Sequence, residues 1–366
     1  MHTSELIFFA SFIVFIVAIL LVDMLVIDRK AHVVSIREAG TWTAVWIVLA
    51  LLFGVFLWFH GDLIHGIHTY EDLQEVTRRY ASHLNLTGHS LASGIEMYRH
   101  NMATAYITGY LIEKMLSVDN LFVMMMIFAS FQVRNTEYQH VLNWGIFGAI
   151  VMRFIFIFAG AAIISKFEWL LMVFGFFLLY SAVSMFLNSN KKETVDVTHH
   201  PIVRFLSKHF RVYPQFAGDH FLVKAVKTGN SYQLVERHQH GLWYITPLLI
   251  TVVVIELSDL LFAFDSIPAV FSVSLDPYVV FFSNIFAILG LRAMFFLLAA
   301  IADRFRYLKT GVCLLLLFIG VKLIIGQFAH IDNVWSLAFI LVVLVGSIVL
   351  SVLIPAKKPA GEVAEK

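Results

Sequence analysis

Nine times along this chain, about 20 mostly apolar residues follow one another, the length a helix needs to cross the hydrocarbon core of a bilayer. The runs cover residues 5–27, 41–59, 103–131, 140–164, 168–188, 243–271, 279–302, 308–327 and 334–354. In hydrocarbon the backbone satisfies its own N–H and C=O groups only as a helix or a closed barrel, and continuous runs of this length read as helices. The fold class that follows is all-α: a polytopic membrane protein with about nine transmembrane helices. Composition agrees, since 60% of the 366 residues are hydrophobic and 14% are charged, whereas soluble domains hold roughly 45–50% and about 25%. A net charge of +1 offers no basic field for nucleic acid. The single cysteine, Cys313, can form neither an intrachain disulfide nor a Cys-based zinc site. The first run is too long, and followed by too much membrane protein, for a cleaved signal peptide.

Sidedness follows from the lysines and arginines, which favour the cytoplasmic loops. With the N-terminus outside, 18 of the 26 fall on inner loops and 4 on outer ones. The N-out, C-in arrangement needs an odd number of spans, as nine is. Five regions result: 1–102, two helices and an outer loop; 103–188, three helices; 189–242, a cytoplasmic loop; 243–327, three helices; 328–366, the last helix and a tail. The two long connections, 60–101 and 189–242, each carry six histidines. His60, His65 and His68 lack the His-x3-His spacing of a helical metal pair and read as incidental. No His-Glu-x-x-His is present.

The two three-helix regions resemble each other. Glu113-Lys-Met-Leu-Ser-Val-Asp119-Asn120 in the third span matches Asp259-Leu-Leu-Phe-Ala-Phe-Asp265-Ser266 in the sixth. Both read acid, five residues, acid, small polar side chain. Gly145-x2-Gly148-x4-Arg153 matches Asn284-x2-Ala287-x4-Arg292, and Phe167-x-Trp169 matches Phe305-x-Tyr307. A repeat of three spans inserts its second copy upside down, a plan that recurs in secondary transporters with a midplane site.

Glu113, Asp119, Glu256, Asp259 and Asp265 all fall within spans three and six. A charge at the bilayer centre costs about 2.5–3.5 kcal/mol on insertion scales, so five unpaired carboxylates would cost on the order of 10 kcal/mol. That rivals the whole stability of a domain. They must be paired, protonated, hydrated or bound to a cation. Lys114, Arg153, Arg292 and Lys322 are the internal bases, with Arg153 and Arg292 expected to fix helix register, and Asn284 a polar position in the matched second helix. The acids outnumber these bases, which points to a cation or proton role for the set. On a straight helix, positions i and i+6 lie about 120° apart, so Glu113 and Asp119 do not converge. With Pro268 close after Asp265, spans three and six are expected to be broken near Asp119-Asn120 and Asp265-Ser266, freeing carbonyls as ligands. Carboxylate, amide and hydroxyl oxygens suit Mg, Ca or Mn. Met124, Met125 and Met126 point in different directions and read as core.

Three segments resemble the TerC family of integral membrane proteins, in its branch of longer chains: Gly109-Tyr-Leu-Ile-Glu-Lys-Met-Leu-Ser-Val-Asp-Asn-Leu-Phe-Val123, Glu256-Leu-Ser-Asp-Leu-Leu-Phe-Ala-Phe-Asp-Ser-Ile-Pro-Ala269 and Ser283-Asn-Ile-Phe-Ala-Ile-Leu-Gly-Leu-Arg292. The basic stretch Arg29 to Glu38 also looks like the family. The resemblance spans about residues 10–330 and departs from the expected pattern at Lys114-Met115. It implies a divalent-cation exporter of a prokaryotic inner membrane, with Mn2+ as usual substrate and no permanently bound cofactor, in the wider group that includes lysine exporters. It also implies that Glu113, Asp119, Glu256, Asp259 and Asp265 carry function, with Asn120 and Ser266 beside them. Some members are associated with metal supply to secreted proteins or with membrane-protein assembly.

The expectation is export of manganese coupled to proton entry, with metal ion, protons and membrane lipid as partners. No Gly-x4-Gly-Lys-[Ser/Thr] supports an ATP engine, and no nucleophile with its base supports an enzyme. A scaffold for assembly or metallation of exported proteins, docking partners on loop 189–242, and an exporter of an organic cation such as lysine are the competing readings. Oligomeric state is not legible.

Overall fold

A computed structural model describes residues 3–22, 34–167, 169–188, 201–228, 231–235, 241–301, 307–326 and 333–354. Residues 23–33, which hold most of the basic stretch after the first helix, residues 189–200 of the 189–242 loop and the tail lie outside the described residues, as does the side chain of Asp119.

A helix occupies each apolar run. They are α1 (Thr3–Val22), α2 (Ile36–His60), α5 (Leu91–Ser130), α6 (Tyr138–Ile164), α7 (Leu170–Asn188), α9 (Pro247–Phe271), α10 (Pro277–Leu289), α11 (Leu291–Ile301), α12 (Leu308–Ile325) and α13 (Asn333–Leu353). Three short helices complete the set: α3 (Asp62–His65), α4 (Tyr70–Tyr80) and α8 (Pro201–His209). Among the described residues, six helices are long and apolar enough to cross a membrane: α1, α2, α6, α7, α9 and α13. The pair α10 and α11, bent by 45°, makes a seventh if it counts as one span. The apolar part of α12, Thr310–Ile325, is shorter, and α5 interrupts its apolar sequence with Glu113, Lys114, Asp119 and Asn120.

Helix starts follow local chemistry. Ser35 accepts from the Glu38 N–H (3.2 Å) at the head of α2, and Pro247 and Pro277 open α9 and α10 where a missing N–H costs nothing. Thr69 and Asp72 form a reciprocal capping box at α4. Thr69→Ala removes one half of it and is expected to lower stability by about 1 kcal/mol in denaturant titration of the purified protein.

The expected breaks at 119–120 and 265–266 are absent. α5 runs through the first as one 40-residue helix and α9 through the second. Pro268 sits in the last turn of α9, where it removes one hydrogen bond and the chain is about to leave the helix anyway. Ser272 N–H then closes the turn on the Pro268 carbonyl (3.1 Å). The break falls at Gly290 instead, between α10 and α11. A Cβ there would lie 2.8 Å from Lys114 Nζ and 3.1 Å from Trp46 Cβ, so a larger residue would push on both neighbours.

The chain is also not purely helical. Strands β1 (Leu222–Thr228), β2 (Ser231–Leu234) and β3 (Leu242–Ile245) form an antiparallel sheet in the order β2-β1-β3. Leu222-Val-Lys-Ala-Val-Lys-Thr alternates its faces with period two: Val223 and Ala225 are buried and join Tyr244 in a small core. Helical runs dominate the sequence and mask this short pattern. The sheet claims residues 242–245, so the sixth long helix begins at Pro247 rather than 243.

α5 stands at the centre, against α2, α9, α10 and α13. α10 is buried along its whole length. Its Phe282 and Phe286 interleave with Phe12 and Phe53, with ring centroids 4.4 Å apart for Phe12–Phe282 and 4.8 Å for Phe53–Phe286. α7 packs chiefly on α12.

Candidate cation site

Residues four and seven apart share a helix face. On α5 this places Glu113, Ser117 and Asn120 in one stripe; on α9 it does the same for Asp259 and Ser266. The two stripes face each other, and Asn120 donates from Nδ2 to Asp259 Oδ1. The first acid and the terminal small polar residue of the repeated motif thus share one face of each helix.

α6 supplies the counter-charge. Arg153 donates from Nη1 to Glu113 Oε1 and to Asn284 Oδ1 (2.5 Å), and its Nη2 lies 3.8 Å from Asp259 Oδ1. Asn284 donates back to the Val280 carbonyl (2.9 Å), which fixes its amide. Glu113 is 1% exposed, Asn120 2%, Arg153 3% and Asp259 4%. One guanidinium therefore serves two buried carboxylates and leaves an excess of negative charge when both are ionised.

Beside this cluster lies a cavity of about 20 Å³, the space one water molecule needs. Glu113, Ser117, Asn120, Arg153, Asp265 and Ser266 line it with Leu116, Met185, Phe262, Val312 and Leu316. Three buried oxygens on its walls have no hydrogen-bond partner: Glu113 Oε2, Asn120 Oδ1 and Ser266 Oγ. Asp265 Oδ1 accepts from Ser181 Oγ (3.0 Å). Unsatisfied buried oxygens are costly in protein and more so in a membrane. A hard cation, a proton or a water at this point would satisfy them. Among the described residues no three His, Cys, Asp or Glu side chains gather as a ligand set; the oxygens here come from carboxylate, amide and hydroxyl.

The other expected residues sit elsewhere. Glu256 lies against α6, where a Cβ on Gly145 would be 3.4 Å from its Oε1 and one on Gly148 would overlap its carboxylate. Lys114 donates to the Ala287 carbonyl (3.0 Å), Lys322 to Ser336 Oγ (2.7 Å) and Arg292 to Asn143 Oδ1 (2.8 Å). Met124 is buried in an apolar cluster. His60 stacks on Phe56 and His68 bonds Asp72 through its backbone, so the three histidines do not converge. Sequence reasoning missed Ser117 and Ser181. Ser117 sits inside the motif at the i+4 position from Glu113, a signal that was there to read; Ser181, on another helix, left none.

Membrane-length helices around a buried polar centre define an integral membrane protein. The chain belongs to the TerC family of integral membrane proteins, whose model matches residues 98–359. Among its relatives is the protein described as "Putative membrane-bound redox modulator Alx" of Salmonella typhi, 39% identical over 93% of this chain and 92% of the relative. The protein of the same description from Escherichia coli (strain K12) is 37% identical over 93% and 92%. An uncharacterized membrane protein of Myxococcus xanthus is 37% identical over 96% and 94%. No solved structure matches the chain.

Proposed function

We propose that this protein is a secondary transporter that exports a divalent metal ion, manganese foremost, from the cytoplasm in exchange for protons. The observation that carries the reading is the set of three partnerless buried oxygens around a water-sized cavity, all on residues of the repeated acidic motif. Oxygen ligands of mixed type suit Mn, Mg or Ca rather than soft-metal chemistry. Asp119 and Glu256 are assigned to steps at which the ion enters or leaves. A cavity of about 20 Å³ suits a small ion better than an organic cation such as lysine. The single cysteine leaves no dithiol pair within the chain to act in redox exchange.

Nine spans in an N-out, C-in arrangement, with helices α5–α7 and α9–α12 as inverted copies, frame this mechanism. The two copies are joined by hydrogen bonds from each matched arginine: Arg153 of the first reaches Asn284 of the second, and Arg292 of the second reaches Asn143 of the first. Moving two positive charges outward against about 150 mV costs roughly 7 kcal/mol at about 2.3 kcal/mol per charge per 100 mV, and inward protons offset this. The membrane is taken to be a prokaryotic inner membrane.

The test is manganese flux in proteoliposomes with a pH-sensitive dye inside. Wild-type protein is expected to move manganese and protons in opposite directions. Asp119→Asn and Asp265→Asn are each expected to lower flux at least about tenfold, the equivalent of roughly 1.4 kcal/mol at the limiting step, while remaining folded. Wild-type flux in both variants would defeat the mechanism. Silence of the folded wild type with every divalent ion would favour an assembly scaffold.

A further inference from the structure

A second buried charged cluster lies outside the lining of the cation cavity, where α1 begins and α10 starts. His65 of α3 stands between two carboxylates: its Nδ1 is 2.8 Å from Glu5 Oε1 and its Nε2 is 2.8 Å from Asp276 Oδ2. The imidazole is fully buried and both carboxylates nearly so. An ionised carboxylate only accepts, and a neutral imidazole has one N–H to give. Two such bonds therefore require one more proton than neutral histidine carries. Asp276 is already engaged as the N-cap of α10, accepting the Tyr278 N–H (2.9 Å).

Beside the cluster opens a vestibule of about 530 Å³, whose walls include Glu5, Tyr80, Leu275 and Tyr278. Glu5 lines this vestibule and not the cation cavity. We propose that Glu5, His65 and Asp276 form a proton-binding latch, in which a proton from the vestibule ties α1 and the head of α10 to α3. When the imidazolium gives that proton to water, one nitrogen presents a lone pair to a carboxylate, and that arm of the latch is released. Because α10 also carries Asn284, the latch holds one end of the helix that positions Arg153.

The surroundings favour the loaded state. Burial by itself pulls the His65 pKa down, but the carboxylates of Asp276 and Glu5 more than reverse this and raise it from 6.5 to about 9. The other groups facing it are the rings of Tyr80 on α4 (5.2 Å), Tyr98 on α5 (6.3 Å) and Tyr278 on α10 (5.4 Å). Arg79 lies over Tyr80 (5.2 Å), and Asp62 on α3 is held by Arg99 (2.6 Å). A folded pKa above the unfolded one gives stabilisation that is complete below about 6.5 and lost as pH rises through about 9.

The test is the thermal unfolding midpoint of the full chain in detergent, followed across pH for wild type, His65→Gln and Glu5→Gln. The wild-type advantage over His65→Gln is expected to be full near pH 6 and gone by about pH 10.5. Glu5→Gln, which keeps the histidine but removes one carboxylate, is expected to move the inflection down by about one unit or more. A wild-type advantage that is constant over this range overturns the latch and leaves a static polar contact. If His65→Gln does not fold, Glu5→Gln decides: an inflection shifted down supports the latch, and an unmoved one overturns it. Neither readout involves metal flux, so the latch and the export reading stand or fall separately.

Discussion

Arg153→Met is expected to destabilise the folded protein by about 3–5 kcal/mol, the usual result of stripping one partner from a buried ion pair. Arg153 is 3% exposed and serves Glu113, Asp259 and Asn284 at once. Methionine fills much of the space, so packing changes little; what remains is two buried carboxylates without their guanidinium. Arg153→Lys keeps the charge but loses the fork that lets Nη1 and Nη2 face different carboxylates, and an intermediate loss is expected. Adding Glu113→Gln to Arg153→Met should recover a substantial part of the loss, because the largest uncompensated charge is gone. Denaturant titration in micelles measures all three. A loss below about 1 kcal/mol for Arg153→Met would mean that the guanidinium does not hold the cluster together.

Gly320→Val is expected to split α7 from α12 and to cost about 3 kcal/mol. A Cβ on Gly320 would lie 2.9 Å from the Gly175 carbonyl, and one on Gly175 would lie 2.9 Å from the Gly320 carbonyl. The obstacle on each side is backbone, which cannot rotate away as a side chain can. Small residues facing each other in this way let membrane helices approach closely. Helix propensity alone predicts the opposite sign for Gly320→Ala, a gain of up to about 1 kcal/mol. A measured loss for Gly320→Ala, larger still for valine, would assign the effect to the interface. Stability equal to or above wild type for both would show that the two helices tolerate separation. Gly148→Ala offers a contrast, because the atoms its Cβ meets belong to the flexible end of Glu256. That side chain can move.

Much of the site was legible in the residues. The motif Glu113 to Asn120 and its counterpart Asp259 to Ser266 marked the two helices that meet, and Arg153 marked the base that joins them. The error was to weigh i+6, which does not converge, above i+7, which does. From i+6 came the expectation that these helices must break to bring ligands together; unbroken, they converge through Glu113, Asn120, Asp259 and Ser266. Ser181 and Asn143 could not be found this way, since their importance comes from neighbours distant in the chain.

Hydropathy alone determined that this chain is an integral membrane protein built on long helices, because only a helix or a barrel satisfies backbone polar groups in hydrocarbon. Charge within apolar sequence determined where to look for function, because that cost is too large to carry without a purpose or a partner. Tertiary structure decided the rest. It paired Arg153 with Glu113 and Asn284 across 40 and 131 residues of chain, set His65 between carboxylates 60 and 211 residues away, and placed the bend at Gly290. Such contacts depend on which helix faces are buried together, and periodicity within one segment carries no record of the segment it will meet.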